Sequence, residues 1–320
     1  MAAKTIIKVN NLVKIFGERV VLYDICLDIQ EQEIFGIIGS SGAGKTTLLS
    51  TLIGFLKPEK GEVLVRGELV QGSEHEQYSK VTADKVKSVI GFASQHPSVY
   101  PELTAEENLK YFARLHKVSR EDAAHNIDLL LGLMDLENAR HTLCANMSGG
   151  MQRRLDIACA LIHHPKILIL DEPTADLDPY LRKHIWNLVR RINSQGTTII
   201  VSSHHLQDLE DLCTRVAIMS KGKLVDVESP VNIKHKYLKT QEIHIQTRPG
   251  RYKQIADSLR GSDISAFETI GGELVIYTEE PQKVIKKILV VLQRLSENLE
   301  DIKIVKSSLD DVFIRLAGTQ

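Results

Sequence analysis

No stretch of this sequence approaches the length of a membrane span. The longest uninterrupted apolar run is Ile157 to Ile162, far short of the roughly 20 residues a bilayer-crossing helix needs. A transmembrane segment of its own is therefore not expected. Neither sign of charge dominates, because 40 Lys and Arg against 41 Asp and Glu leave a formal net charge of −1. With no dense Lys/Arg stripe either, a nucleic-acid partner is not expected. The opening MAAKTIIKVNNLVK soon alternates like a strand and lacks the apolar centre of a secretory signal. Cys26, Cys144, Cys159 and Cys213 are scattered without C-x-x-C spacing, which argues for ordinary buried thiols in a reduced, cytoplasmic protein rather than for a metal site. A chain of 320 residues can hold two domains, each with its own core.

What is present divides into two grammars. Over roughly the first 235 residues, short apolar runs at Val63-Leu64-Val65, Val89 to Ala93, Ile167 to Leu170 and Thr198 to Val201 read as buried strands. Helical patterns lie between them. Thr104-Ala105-Glu106-Glu107 forms a capping box before Asn108 to His116, and Ser119 to Asp122 resembles one before Ala123 to Met134. Alternating strands and helices predict an α/β fold with a mostly parallel sheet covered on both faces. A nearly all-helical stretch, from about residue 96 to 147, is inserted in it. From about residue 240 to 320 the order β-α-β-β-α-β predicts a small α+β domain of the ferredoxin-like kind, with Gly271-Gly272 as a tight turn and a short helix, Leu309 to Leu316, at the end.

The sharpest chemistry lies at Gly39-Ser40-Ser41-Gly42-Ala43-Gly44-Lys45-Thr46-Thr47. It fits G-x-x-x-x-G-K-[ST] at every position and follows an apolar run. Bare backbone lets successive N–H groups curl around phosphate oxygens, and the helix that follows aims its positive end at the same anion. Lys45 then supplies a point charge for the β and γ phosphates, and the Thr46 hydroxyl a ligand for Mg²⁺. Lys166-Ile167-Leu168-Ile169-Leu170-Asp171-Glu172 supplies the second half. Four buried residues carry Asp171 to a strand's carboxyl end as a metal ligand. Glu172, one residue on, points differently and can serve as general base toward a water attacking the γ phosphate.

Further stretches resemble the ATP-binding cassette (ABC) ATPases. Asn146-Met147-Ser148-Gly149-Gly150-Met151-Gln152 resembles the LSGGQ signature, with Met147 and Met151 as departures from it. Gln95 falls at the family's Q-loop, and Ala175-Asp176-Leu177-Asp178-Pro179 looks like its D-loop. His204 matches the switch histidine, favoured over the adjacent His205 because the strand before it ends in Ser202-Ser203. Phe16 sits where an aromatic residue stacks on adenine. The resemblance implies a P-loop NTPase with an ABC-type helical subdomain, an ATPase using ATP and Mg²⁺, with Gln95 touching the metal. It also implies a composite site, in which Ser148, Gly149, Gly150 and Asp178 of one subunit meet the nucleotide held by a second copy or a paralogous ATPase. A capped helix start at Ser148, offering a hydroxyl and bare amides, suits that role.

Ser307 to Leu316 resembles the ending of exporter-type members, so the family reading is a subunit driving a separately encoded membrane permease, on the inner face of the cell membrane. The weighed alternatives are a soluble ABC ATPase acting on ribosomes or chromosomes, and an ABC ATPase gated by a small ligand at its C-terminal domain.

Overall fold

In the computed structural model the described residues are 4–65, 68–72, 86, 88–175, 177–204, 206–237, 241–259, 261, 263–305 and 308–312. They form two compact units, Met1–Ser229 and Pro230–Gln320.

The first unit is built on a six-stranded sheet. Its strands are β3 (Ile34–Gly39), β6 (Ile90–Ala93), β7 (Ile167–Asp171), β8 (Thr198–Ser203), β9 (Arg215–Ser220) and β10 (Lys223–Glu228). They run in the order β10-β9-β3-β8-β7-β6, parallel except for the β10–β9 pair. Every residue of β3, β7 and β8 is buried. That is the mark of strands covered on both faces, and it explains their unbroken apolar runs.

A second sheet covers part of this one. It is antiparallel, in the order β2-β1-β4-β5, from β1 (Thr5–Phe16), β2 (Arg19–Gln30), β4 (Lys60–Val65) and β5 (Glu68–Gly72). Ile7, Val9, Ile25 and Ile29 from it share one core with Phe35, Ile37, Ile169 and Ile200 of the parallel sheet and with Leu48 and Leu49 of α1 (Lys45–Leu52). Three of the four cysteines are buried, but Cys26 is exposed on β2, its Sγ accepting from the Asn11 amide at 3.3 Å. The expectation that all four thiols are buried therefore fails at Cys26. An alternating strand has an outer face, and Cys26 falls on it between buried Ile25 and Leu27.

The inserted layer holds α2 (Ala105–Leu115), α3 (Arg120–Leu133) and α4 (Gly149–Leu161). Both halves of the Thr104–Glu107 capping box form, and Ser119 caps α3 by accepting from the Asp122 amide. Later come α5 (Pro179–Ser194) and α6 (Leu206–Leu212).

The second unit contains α7 (Pro230–Tyr237), β11 (Gln241–Arg248), α8 (Tyr252–Leu259), β12 (Ala266–Ile270), β13 (Glu273–Thr278), α9 (Pro281–Arg294) and β14 (Asn298–Val305). Its sheet runs β12-β13-β11-β14 with every pair antiparallel, the arrangement of a split β-α-β unit. Val284, Ile288 and Leu292 recur four residues apart on α9 and pack on Ile243, Ile245 and Ile276 of the sheet. Residues 309–312 are helical; the remainder of the expected final helix, 313–316, lies outside the described residues.

Candidate functional site

Three adjacent strands deliver the site. β3, β8 and β7 lie side by side, so their carboxyl ends converge on one edge, where open α/β sheets bind ligands. β3 ends at Gly39, and the loop 40–44 enters α1 directly at Lys45. Gly42 has φ +77 and Gly44 φ +103, left-handed conformations that cost an L side chain roughly 1–2 kcal/mol. A Cβ on Gly44 would also stand 3.0 Å from Leu22 Cδ2 and 3.1 Å from the Val21 carbonyl. No side chain caps α1, so its first amides and positive end remain for an anion. Gly39 answers to a different need. A Cβ there would lie 2.6 Å from the Met219 carbonyl of β9, so strand packing, rather than phosphate approach, requires the glycine.

A cleft of about 700 Å³ opens above α1. Ser41, Gly42, Ala43, Gly44, Lys45, Thr46 and Thr47 form one wall, and Gln95, Glu172, His204, Phe16, Arg19 and Val21 complete the lining. Lys45 is 7% exposed. Its Nζ donates to the Gly39 carbonyl at 2.9 Å and the Ser40 carbonyl at 3.4 Å, and stands 3.4 Å from Glu172 Oε1. The other Glu172 oxygen, Oε2, is 2.6 Å from His204 Nδ1 and accepts from the His204 amide at 3.3 Å. Glu172 is thus held between an ammonium and an imidazole. Its backbone has φ +48, a left-handed turn that swings its carboxylate into the cleft while Asp171 stays beneath. Phe16 is 47% exposed there, with the Lys14 ammonium 5.0 Å from its ring centre. A cation over one face of an aromatic ring holds it in place.

Not every expected residue lines this cleft. Asp171 is 2% exposed, its Oδ1 accepting from Ser202 Oγ at 2.5 Å. Gly39 and Ser40 are not part of the lining; their carbonyls accept from Lys45 Nζ. Ser148, Gly149, Gly150 and Asp178 stand outside. Ser148 caps α4, accepting from the Met151 amide at 3.3 Å. Asp178 caps α5, its Oδ1 accepting from the Tyr180 and Leu181 amides at 2.9 and 3.0 Å. Asp176 and His205 lie outside the described residues.

Sequence reasoning missed three side chains. Arg19 lines the cleft together with Phe16. Ser202 joins both acidic residues, donating to Asp171 and accepting from the Glu172 amide at 2.9 Å. Arg153 lies beneath them, donating to the Asp171 carbonyl at 3.2 Å. The strand signal could have found Ser202, since it faces Asp171 directly in the β7–β8 register.

Comparison with known proteins agrees with this geometry. A family model described as ABC transporter matches residues 22–175. The ABC transporter ATP-binding protein YhcH of Bacillus subtilis (strain 168) is 34% identical over 320 residues, spanning 98% of this chain and 97% of the relative. The Nod factor export ATP-binding protein I of Sinorhizobium fredii (strain NBRC 101917 / NGR234) is 32% identical over 319 residues, covering 98% and 86% respectively. The solved structure of cbiO1 from Clostridium perfringens, part of the ABC transporter complex cbiONQ, superposes with a TM-score of 0.66 at 27% identity, covering 73% of this chain and 92% of that one. Among the described residues no helix is long and apolar enough to cross a membrane. A nucleotide cleft on a parallel sheet, with relatives matched along nearly their whole length, identifies the chain as a member of the ABC transporter ATP-binding family, an ATP-hydrolysing cassette.

Proposed function

We propose that this cassette closes head to tail with a second copy or a related cassette around two ATP molecules, and so drives a separately encoded membrane permease that exports its cargo. The observation carrying this reading is that the anion-binding parts are split. α1 opens onto the cleft, whereas Ser148, Gly149 and Gly150 start a 13-residue helix outside it. Such a helix start suits a phosphate, and with none of it in this chain's own cleft, the phosphate it serves belongs to the neighbour. Asp178 then sits at the same seam.

Within the cleft, the amides of residues 42–47 cradle the phosphates and Lys45 meets the β and γ groups. The hard oxygen donors of Thr46, Gln95 and Asp171 fit Mg²⁺: Thr46 is exposed to the cleft and Asp171 keeps one carboxylate oxygen beyond its bond to Ser202. The ion would offset the charge of the triphosphate. Glu172 takes the proton of the attacking water, His204 holds that carboxylate in place, and Phe16 stacks on adenine.

A second groove, also about 700 Å³, includes Phe55, Phe92, Phe112 and Leu115 and reaches Ser94 and Ser98 beside Gln95. Phe55 is 70% exposed. An apolar segment of the permease suits this groove, which would pass motion between the permease and Gln95. ATP is held inside cells, so the reading places the chain on the inner face of the membrane, with its C-terminal unit as an accessory or regulatory part. Export rests on the tail and on the relative named for Nod factor export.

The test is Glu172→Gln, which keeps the shape and removes the base. It is expected to bind ATP, to lose turnover, and to elute as a dimer with ATP by size-exclusion chromatography with light scattering. A monomer under those conditions overturns the pairing, and hydrolysis at the parent rate overturns the base.

A further inference from the structure

Arg153, on the second turn of α4, is 4% exposed. Its Nε donates to the Pro173 carbonyl at 3.0 Å and its Nη2 to the Asp171 carbonyl at 3.2 Å. Its Nη1 donates to the Ser94 carbonyl and to Asp156 Oδ2, the latter at 3.1 Å. Asp156 is 3% exposed and accepts from the Ser98 amide at 2.8 Å through its other oxygen. Two loops are thereby bracketed. Residues 171 and 173 flank Glu172, and residues 94 and 98 flank Gln95.

The bracketing meets a physical need. Glu172 holds φ +48, and a non-glycine residue there costs about 1–3 kcal/mol and persists only where its surroundings over-determine it. Arg153 grips the carbonyls on either side of Glu172, while Ser202 takes the Glu172 amide. Stability alone does not call for an ion pair in this place, since well-packed apolar residues often do as well or better than a buried pair. What apolar side chains cannot do is bind three named carbonyls at once; a planar guanidinium can. Burial pushes the Asp156 carboxyl up to about 6, against the pull of the Ser98 amide and Arg153, so the pair is held at a cost.

We propose that Arg153, with Asp156 as its counter-ion, is a positioning residue for ATP hydrolysis that keeps Gln95 and Glu172 in register with one another. This rests on the reading of Glu172 as the base. The same helix begins at Ser148, so a displacement of α4 at its start carries both brackets with it.

Two variants of the full chain test this. Arg153→Met/Asp156→Asn removes both charges together and leaves no unpaired buried ion. Arg153→Lys keeps the charge pair and the fold but cannot span three carbonyls. We expect kcat to fall roughly 10- to 100-fold in the double variant and at least about threefold in the lysine variant. KM and the Kd of a fluorescent ATP analogue should stay within about threefold of the parent, while the melting temperature of the double variant falls, because three buried carbonyls lose their donor; rates are therefore read well below the transition, where both variants are folded. A purely structural role would lower the melting temperature alone and leave the kcat of the folded variants at the parent value. Parent kcat in either folded variant overturns the proposal. Glu172→Gln, assayed alongside, separates the two readings. If it is inactive while the Arg153 variants keep their rate, only the positioning role falls; if it hydrolyses ATP normally, the base assignment falls.

Discussion

Replacing Ser202 by alanine removes one hydroxyl from beneath the cleft and with it two hydrogen bonds. Oγ donates to Asp171 Oδ1 at 2.5 Å and accepts from the Glu172 amide at 2.9 Å. Ser202 is fully buried, so water cannot stand in for either. A bond to a charged group contributes about 1.5–3 kcal/mol and a neutral one about 0.5–1.5 kcal/mol, which makes Ser202→Ala destabilising by about 2–4 kcal/mol. For a unit of this size each kcal/mol lowers the midpoint by roughly 2–4 °C, so calorimetry should find the transition about 10 °C lower. Turnover suffers separately. Asp171 is freed to rotate, and the strained Glu172 loses the anchor on its amide. Phosphate release is expected to drop roughly 10- to 100-fold, the loss typical of a displaced reacting group. Ser202→Thr keeps the hydroxyl and should recover most of the rate, at some cost for fitting a methyl into a packed strand. An alanine variant with the parent midpoint and the parent rate would refute the idea that this hydroxyl ties the two acidic residues together.

Phe16→Ala should weaken ATP binding by about 1–3 kcal/mol, the contribution of a stacked base. Measured kcat should stay unchanged at saturating ATP, and a lower kcat would mean that the ring does more than stack. In the second unit, burial alone would raise the Glu297 carboxyl from 4.5, but Arg251 Nε at 2.7 Å and the amides of Gly250 and Arg251 at 2.9 and 3.2 Å bring it down to about 2. A depressed carboxyl adds stability above its ordinary value, and that stability is lost as the pH falls through its folded value. Glu297→Gln should therefore destabilise this unit by about 2 kcal/mol at neutral pH. The gap from the parent should close between about pH 4.5 and 2, followed by hydrogen exchange of the β11 and β14 amides. A gap that ignores pH would show that ionisation is not its source.

The residues legible from sequence were those whose meaning is local. The run 39–47 announces itself because one short segment must supply bare amides, a helix start and a lysine together. Asp171 and Glu172 follow four buried residues in a row, and Thr104 with Glu107 writes a helix start in four letters. Arg153 and Arg19 carry no such pattern, because their partners come from other elements and only the fold brings them near; Ser202 ends a strand that does read, but its pairing with Asp171 shows only in the register. The antiparallel sheet was legible only in part. The opening residues and Val63 to Val65 read as strands, but register shifts between Val9 and Leu12 and again around Lys14 break the alternation of β1, so the full length of β1 and its pairing with β2 do not read. Gly39 fits the motif yet is glycine because of Met219, a contact on a strand nearly two hundred residues away. Asp178 matched its motif through its resemblance, while its own backbone explains the carboxylate equally well as a helix cap.

The link between Lys45 and Glu172 has a consequence for idle turnover. With Nζ 3.4 Å from one Glu172 oxygen and His204 Nδ1 2.6 Å from the other, both oxygens of the carboxylate are engaged, and a stray water in the cleft finds neither open. An arriving triphosphate offers Nζ a denser negative charge than a single carboxylate, and in the proposed role of Glu172 drawing the lysine away would clear one of its oxygens for water. Docking of fuel and arming of the catalyst then become one event, a safety catch made from a single side chain.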